Sequence, residues 1–256
     1  MKLKRLILLF FVTFALSCST DDSGSNVEDG VNKAPNLKAT GSSAHDFLSA
    51  DDYDALHIEI LYVEGFHPDA AVIANLQQFM SARLNKPGGI TITERQIASP
   101  GTSPYSIGEI SNLESDNRTF YNDVNVLTLC VLFVDGKYNT DTATSYTLGT
   151  AYRNTSCVIY ESSVRHLSNG VGLPNRTDLE TTVLLHELCH LLGLVDLGSE
   201  MQTEHRDAAH GKHCNNENCL MFWQTENNVM NNNTTPGHVA PLDANCLADL
   251  LANGGK

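Results

Sequence analysis

Basic residues are scarce in this chain. Lysine and arginine number 16 against 30 aspartates and glutamates, a formal net charge of −14 at pH 7. A surface of that sign repels phosphate backbones and anionic lipid headgroups, which argues against nucleic acid as a partner and against adsorption to a membrane surface. Long apolar runs are lacking as well: the N-terminal one, Leu6 to Leu16, is too short to cross a bilayer comfortably. Internal repeats are absent, so a repeat architecture is not expected. What is present is a chain of 256 residues, 41% of them hydrophobic, enough to bury the core of a single domain.

The N-terminus reads as a targeting segment. Lys2, Lys4 and Arg5 precede the apolar run, and small residues then lead to Cys18 in "FALSCST". This resembles a bacterial lipoprotein signal, which implies removal of residues 1–17 and lipidation of Cys18. The mature chain would keep 13 basic residues against 30 acidic ones, a net charge of −17. Residues 18–52 are rich in Ser, Asp, Asn, Gly and Ala without hydrophobic periodicity, and are expected to form a flexible tether. The acidic "STDDSGSN" is similar to the signal that sends some lipoproteins to the cell surface. The expected location is therefore the cell envelope, outer-membrane anchored and surface-exposed, with the lipid as the sole membrane contact and the protein a monomer. Export favours disulfides among the six remaining cysteines, Cys130, Cys157, Cys189, Cys214, Cys219 and Cys246. Cys214 and Cys219, close together in a polar stretch, are the nominated pair, whereas Cys130 and Cys189 lie in apolar runs that suit buried thiols.

From residue 53 onward the pattern alternates. "LHIEILYVEG" and "GITITERQI" (89–97) read as strands, and "VNVLTLCVLFVDG" (124–136) as a central strand buried on both faces. Helical spacing covers 69–85 and, more weakly, 106–122. Residues 148–163 hold two short strands around Asn154-Thr155, expected to be antiparallel additions to a mixed α/β sheet. A terminal helix is expected over 241–255.

The stretch "LLHELCHLLGLVD" (184–196) carries the chemistry. "TDLE", Thr177 to Glu180, fits a capping box that would open a helix, and Gly193 fits its end. Leucines occupy almost every position except those of His186, Glu187 and His190, so the helix is internal. Histidines at i and i+4 share one helix face and can aim two imidazoles at one point, the spacing of two zinc ligands. Glu187 flanks that point and suits a general base toward a zinc-bound water. Three ionisable groups on one buried face need a shared partner.

Here a resemblance becomes specific. "HELCHLLGLVD" is similar to the metzincin metalloprotease pattern H-E-x-x-H-x-x-G-x-x-H/D, matching at His186, Glu187, His190, Gly193 and Asp196. "HCNNENCLMFW" (213–223) resembles archaemetzincin, in which a zinc-binding histidine is followed by C-x4-C-x-M, matching at His213, Cys214, Cys219 and Met221. The resemblance implies a zinc-dependent endopeptidase acting on peptide or protein substrates, with Met221 as the floor beneath the metal. It also implies a metzincin-like α/β (α+β) fold. That fold has a twisted, mixed five-stranded sheet with an antiparallel edge strand, an active-site helix, and a smaller irregular C-terminal subdomain ending in a helix. Residues 53–193 would form the upper part of the peptidase domain and 194–256 the lower. "TAYRNTSCVIYE" would supply the edge strand along which extended substrate pairs. Archaemetzincins complete a separate structural zinc site with a second cysteine pair; only Cys246 lies beyond Met221 here, so that site is not carried over.

The third ligand stays open. His213 sits twenty residues after Gly193, where the family pattern allows three; the Cys-Met frame favours His213, exact spacing favours Asp196, and His205 and His210 compete from the intervening stretch. Tyr152, Tyr160 and His205 are nominees for an oxyanion donor. Two rival functions are kept. One is a gluzincin-type peptidase with Glu204 or Glu217 as third ligand. The other is a catalytically silent surface binding module that retains its metal.

Overall fold

The structure is a computed structural model; it describes residues 27–28, 30–168, 170–227 and 239–256. The signal segment, Cys18 and the first part of the expected tether lie outside the described residues. Among the described residues, no helix is long and apolar enough to cross a membrane.

A two-stranded ribbon, β1 (Val27–Glu28) and β2 (Val31–Asn32), precedes a short helix α1 (Ala44–Leu48). The main sheet follows, built from β3 (Ala55–Val63), β4 (Gly89–Ile97), β5 (Val126–Phe133), β6 (Gly149–Arg153) and β7 (Ser156–Ile159). Its order is β4-β3-β5-β7-β6. β3 lies parallel to β4 and β5, β5 is parallel to β7, and only β6 is antiparallel, paired to β7 at the edge. The fold is thus mixed α/β with an antiparallel edge strand. One refinement of the expected pairing follows: of the two late strands only β6 is antiparallel, because the connection over 134–148 carries the chain back along the sheet edge as β6, and the tight turn after it returns β7 parallel to β5. α3 (Ile107–Asn117) precedes β5 and packs on the sheet.

Period-two alternation sends each strand's side chains to two cores. Leu56, Ile58 and Ile60 of β3 and Leu127, Leu129, Val131 and Phe133 of β5 pack with Val72, Leu76 and Met80 of α2 (Ala70–Arg83) and with Leu179, Val183, Leu184 and Leu188 of α5 (Arg176–Leu191). Leu61, Val63, Cys130, Leu132 and Val158 face the other way, onto Ile110 and Leu113 of α3. Cover on both faces is why β5 reads as an unbroken apolar run. α4 (Glu161–His166) links β7 to α5, and among the described residues after α5 only α6 (Gln224–Asn227) and α7 (Ala244–Ala252) are helical.

The tether expectation for 18–52 fails in its second half. Phe47 and Leu48 are fully buried in the α5-side core. Asn36 donates to Asn122 Oδ1 (2.7 Å) and Thr155 Oγ1 (3.0 Å), and Asn154 donates from its backbone to Lys38 O (3.0 Å) and from its side chain to Pro35 O (2.8 Å). A composition poor in hydrophobics concealed this, because Phe47 and Leu48 are few and the rest of the segment is held by polar groups distant in sequence, those of Asn122 and of the β6–β7 turn.

Candidate metal centre and active site

α5 sets the first groups. Its N-cap is Asn175, whose side chain accepts from Asp178 N at 2.8 Å, rather than Thr177 of the expected capping box. Pro174 holds the preceding backbone extended and Asn caps as well as Thr, so the helix starts two residues earlier. Glu180 is consequently not a capping partner: it is buried, 3.2 Å from Arg176 Nε. The helix ends in a Schellman motif, with Leu194 N donating to Cys189 O and Gly193 N to His190 O, both at 3.1 Å. Gly193 has φ 81°, and a Cβ there would lie 2.5 Å from Ser199 N and 2.7 Å from Ala44 Cβ, so the turn requires glycine on both counts.

Beyond this turn the chain runs without a helix or named strand to Trp223 and returns His213 to the helix. His186, His190 and His213 offer ligand atoms that all lie within 4.8 Å of one another, and all three are buried. Their ring centroids are 4.9, 5.3 and 5.2 Å apart. A tetrahedral zinc with Zn–N near 2.1 Å spaces its ligands about 3.4 Å apart, and three neutral imidazoles are a donor set it favours. The residues therefore fit a zinc ion. The neighbours also set two of the tautomers. His186 Nδ1 donates to Leu220 O (2.7 Å) and His213 Nδ1 to His210 O (3.0 Å); a carbonyl only accepts, so Nε2 of each is the nitrogen that would bind a metal.

The other third-ligand candidates go elsewhere. Asp196, in the left-handed region at φ 64°, pairs with Arg206 Nη1 at 2.9 Å. His210 is 2.8 Å from Asp207 Oδ2 and stacks on Trp223 at 3.9 Å. Glu204 and Glu217 are exposed and belong to neither cluster of potential metal-binding residues. Met221 is fully buried and shares the turn with Leu220, whose carbonyl receives His186.

Glu187 lines the cavity with His190 and His213, beside Thr40, Thr147, Gly149 and Lys212. Its Oε2 accepts from the Ala151 amide at 2.7 Å. A Cβ on Gly149 would lie 2.7 Å from Glu187 Cγ, so glycine lets the edge strand approach the carboxylate. On the same rim the Ala151 carbonyl accepts from Thr40 Oγ1 at 3.1 Å. The edge strand expected to receive substrate is in place, but its Ala151 groups are already engaged. By strand alternation Gly149 shares that rim and carries the next amide and carbonyl. None of the oxyanion nominees serves. Tyr152 donates to Glu114 Oε2 at 3.0 Å, Tyr160 is fully buried, and His205 belongs to a second cluster. Ala151, Gly149 and Thr40 had no signal in the sequence: their roles rest on backbone groups and on close approach.

The second cluster replaces the expected disulfide. Cys214 and Cys219 form no disulfide, nor do the other cysteines among the described residues. His205, Cys214, Asp243 and Cys246 offer ligand atoms within 4.8 Å of one another, and Cys219 Sγ is 3.6 Å from Cys246 Sγ. The disulfide reading counted two thiols, whereas Cys246 on α7 adds a third, and the three sulfurs hydrogen-bond one another without a disulfide. Hydrogen bonds from Cys214 and Cys246 hold the Cys219 thiol far below its ordinary range. His205 Nε2 sits 2.7 Å from Asp249 Oδ2, leaving Nδ1 toward Cys214 Sγ at 3.4 Å. Three thiols and an oriented imidazole are a donor set suited to a structural zinc.

No protein-family model matches the chain, and no curated protein matches it in sequence. Among solved structures it is similar to an archaemetzincin from Methanopyrus kandleri, with 15% identity and a TM-score of 0.48 over 78% of this chain and 96% of that one. It is also similar to metalloproteinase-II from Bacteroides fragilis, with 18% identity and a TM-score of 0.41 over 80% of this chain and 54% of that one, so it spans about half of that protein.

Proposed function

We propose that this chain is a zinc-dependent endopeptidase in which His186, His190 and His213 hold the metal and Glu187 is the general base. One observation carries the reading: the ligand atoms of three buried imidazoles converge within 4.8 Å of one another, and two of them, His190 and His213, line a cavity together with Glu187. Zinc, when bound, supplies a Lewis acid that polarises a carbonyl and makes a water acidic. The protein's own residues do the rest. Glu187, held by the Ala151 amide, takes the proton of the attacking water and delivers it to the departing amine nitrogen. The Leu220 and His210 carbonyls fix the rings of His186 and His213. Buried leucines around α5 exclude water from the remaining approaches. The substrate is an extended peptide lying along β6, and the lipid-anchored, exported setting belongs to the same proposal.

The test is cleavage of a peptide library by the full chain, with and without chelator, beside Glu187→Ala. Chelator-sensitive cleavage that the variant loses supports the reading. Zinc retention with no cleavage by the native chain would make it a metal-containing binding module instead.

A further inference from the structure

We propose that the cluster of Cys214, Cys219, Cys246 and His205 is a redox-sensitive clamp on the histidine centre: closed around a divalent cation it holds His213 and the Leu220 carbonyl in register, and a disulfide joining Cys219 to Cys246 opens it. This rests on the zinc-peptidase reading of His186, His190 and His213.

The two clusters share a short piece of backbone. Cys214 directly follows His213, and its amide donates to Met221 O at 2.8 Å. Leu220, whose carbonyl orients His186, lies between Cys219 and Met221, and the Met221 amide points at Cys219 Sγ at 3.4 Å. A movement of Cys214 or Cys219 is therefore passed across one peptide unit to a histidine of the other cluster.

The segment needs such a clamp. From Leu192 to Trp223 the chain forms no helix and no strand beyond the isolated bridge of Arg206 with Cys214. Irregular stretches of this length hold one geometry in compact domains only when something ties them down. Here the ties are the buried sulfurs, reaching from residues 214 and 219 to Cys246 on α7, and His205 braced by Asp249. A cation joining these groups fixes both ends of the segment that carries His213.

The same sulfurs make the clamp breakable. Cys219 and Cys246 are 3.6 Å apart, so a small approach joins them. A peroxide is the oxidant, entering through local opening of the irregular segment. One thiolate attacks it, the O–O bond breaks, hydroxide leaves, and a sulfenic acid forms. The second thiolate displaces hydroxide from that sulfur to form the S–S bond. Two electrons pass from sulfur to peroxide, the cation keeps its charge, and it loses two of its ligands.

Cobalt(II) is the probe. In the reduced full chain it should give a thiolate-to-cobalt charge-transfer band from the clamp, and zinc competition against a chromogenic chelator should report the affinity of the histidine centre. After hydrogen peroxide, peptide mapping should find Cys219 joined to Cys246, the band should vanish, and histidine-centre affinity should fall by about tenfold or more, with recovery on adding a thiol reductant. Cys219→Ser and Cys246→Ser, where circular dichroism shows them folded, should begin with the weakened affinity and show no further loss with peroxide. If they do not fold, the peroxide arm on the native sequence decides. Unchanged histidine-centre affinity once the cross-link has formed overturns the clamp, as does a reduced chain that shows no thiolate band. Failure of the underlying peptidase reading looks different: the thiolate band is then intact while the histidine centre of the reduced chain takes up no zinc, and both proposals fall together.

Discussion

The backbone amide of Ala151 donates to Oε2 of Glu187 at 2.7 Å, joining the sheet's edge strand to the helix that carries two of the three converging histidines. A carboxylate on a rotatable side chain is thereby held beside the cavity by a group that cannot itself rotate away. The orientation of the proposed base is a property of the sheet as much as of the helix.

Glu187→Gln keeps the shape of the side chain and removes its basicity. Peptide cleavage should fall by about 10²- to 10⁴-fold in kcat. Zinc content, measured by atomic emission, should be unchanged; loss of metal in this variant would mean that Glu187 acts on the site's structure.

Gly149→Ala places a methyl 2.7 Å from Glu187 Cγ, 2.8 Å from its Oε1 and 2.9 Å from Val183 Cγ1. The crowding should cost about 1–3 kcal/mol of stability in urea titrations. Turnover should drop further than a surface substitution would cause, because the displaced atoms belong to the base. A variant as active and as stable as the native chain would remove Gly149 from this account.

His213→Ala should remove zinc from the histidine centre, and Asp196→Ala should not, since Asp196 is committed to Arg206. Isothermal titration of zinc into each apo variant separates the two. The reverse pattern would return Asp196 to the metal.

The buried start of α5 should make stability depend on pH. Burial, with the Glu161 charge nearby, pushes the Glu180 carboxyl up from an ordinary 4.5 to about 8. A folded-state value above the unfolded one means that the folded chain binds more protons in between, so this contribution is complete below about pH 4.5 and is lost as pH rises through about 8. Thermal midpoints of the native chain should therefore decline across that interval relative to Glu180→Gln, which has no proton to lose. Parallel profiles for the two chains would contradict the assignment.

Periodicity made much of this legible. The i, i+4 histidines within a leucine-rich run placed His186, Glu187 and His190 on one face of an internal helix, and alternation located β3, β4 and β5. What stayed hidden depended on groups that come together only in three dimensions. His213 reaches the pair across twenty residues without regular structure, so no spacing rule could select it over Asp196. Cys246 joins Cys214 and Cys219 from the last helix, which made a local disulfide look simpler than a three-thiol cluster. Asn36 and Thr40 belong to a stretch whose composition suggested disorder, because their partners are polar groups of the β6–β7 edge. Ala151 contributes an amide that any residue but proline would supply.

The most direct measurement is anomalous scattering above and below the zinc edge from crystals of the full chain grown with zinc. The account predicts an anomalous peak bonded to His186, His190 and His213. A peak ligated by Asp196 in place of His213, or none among these histidines at saturating zinc, would contradict it.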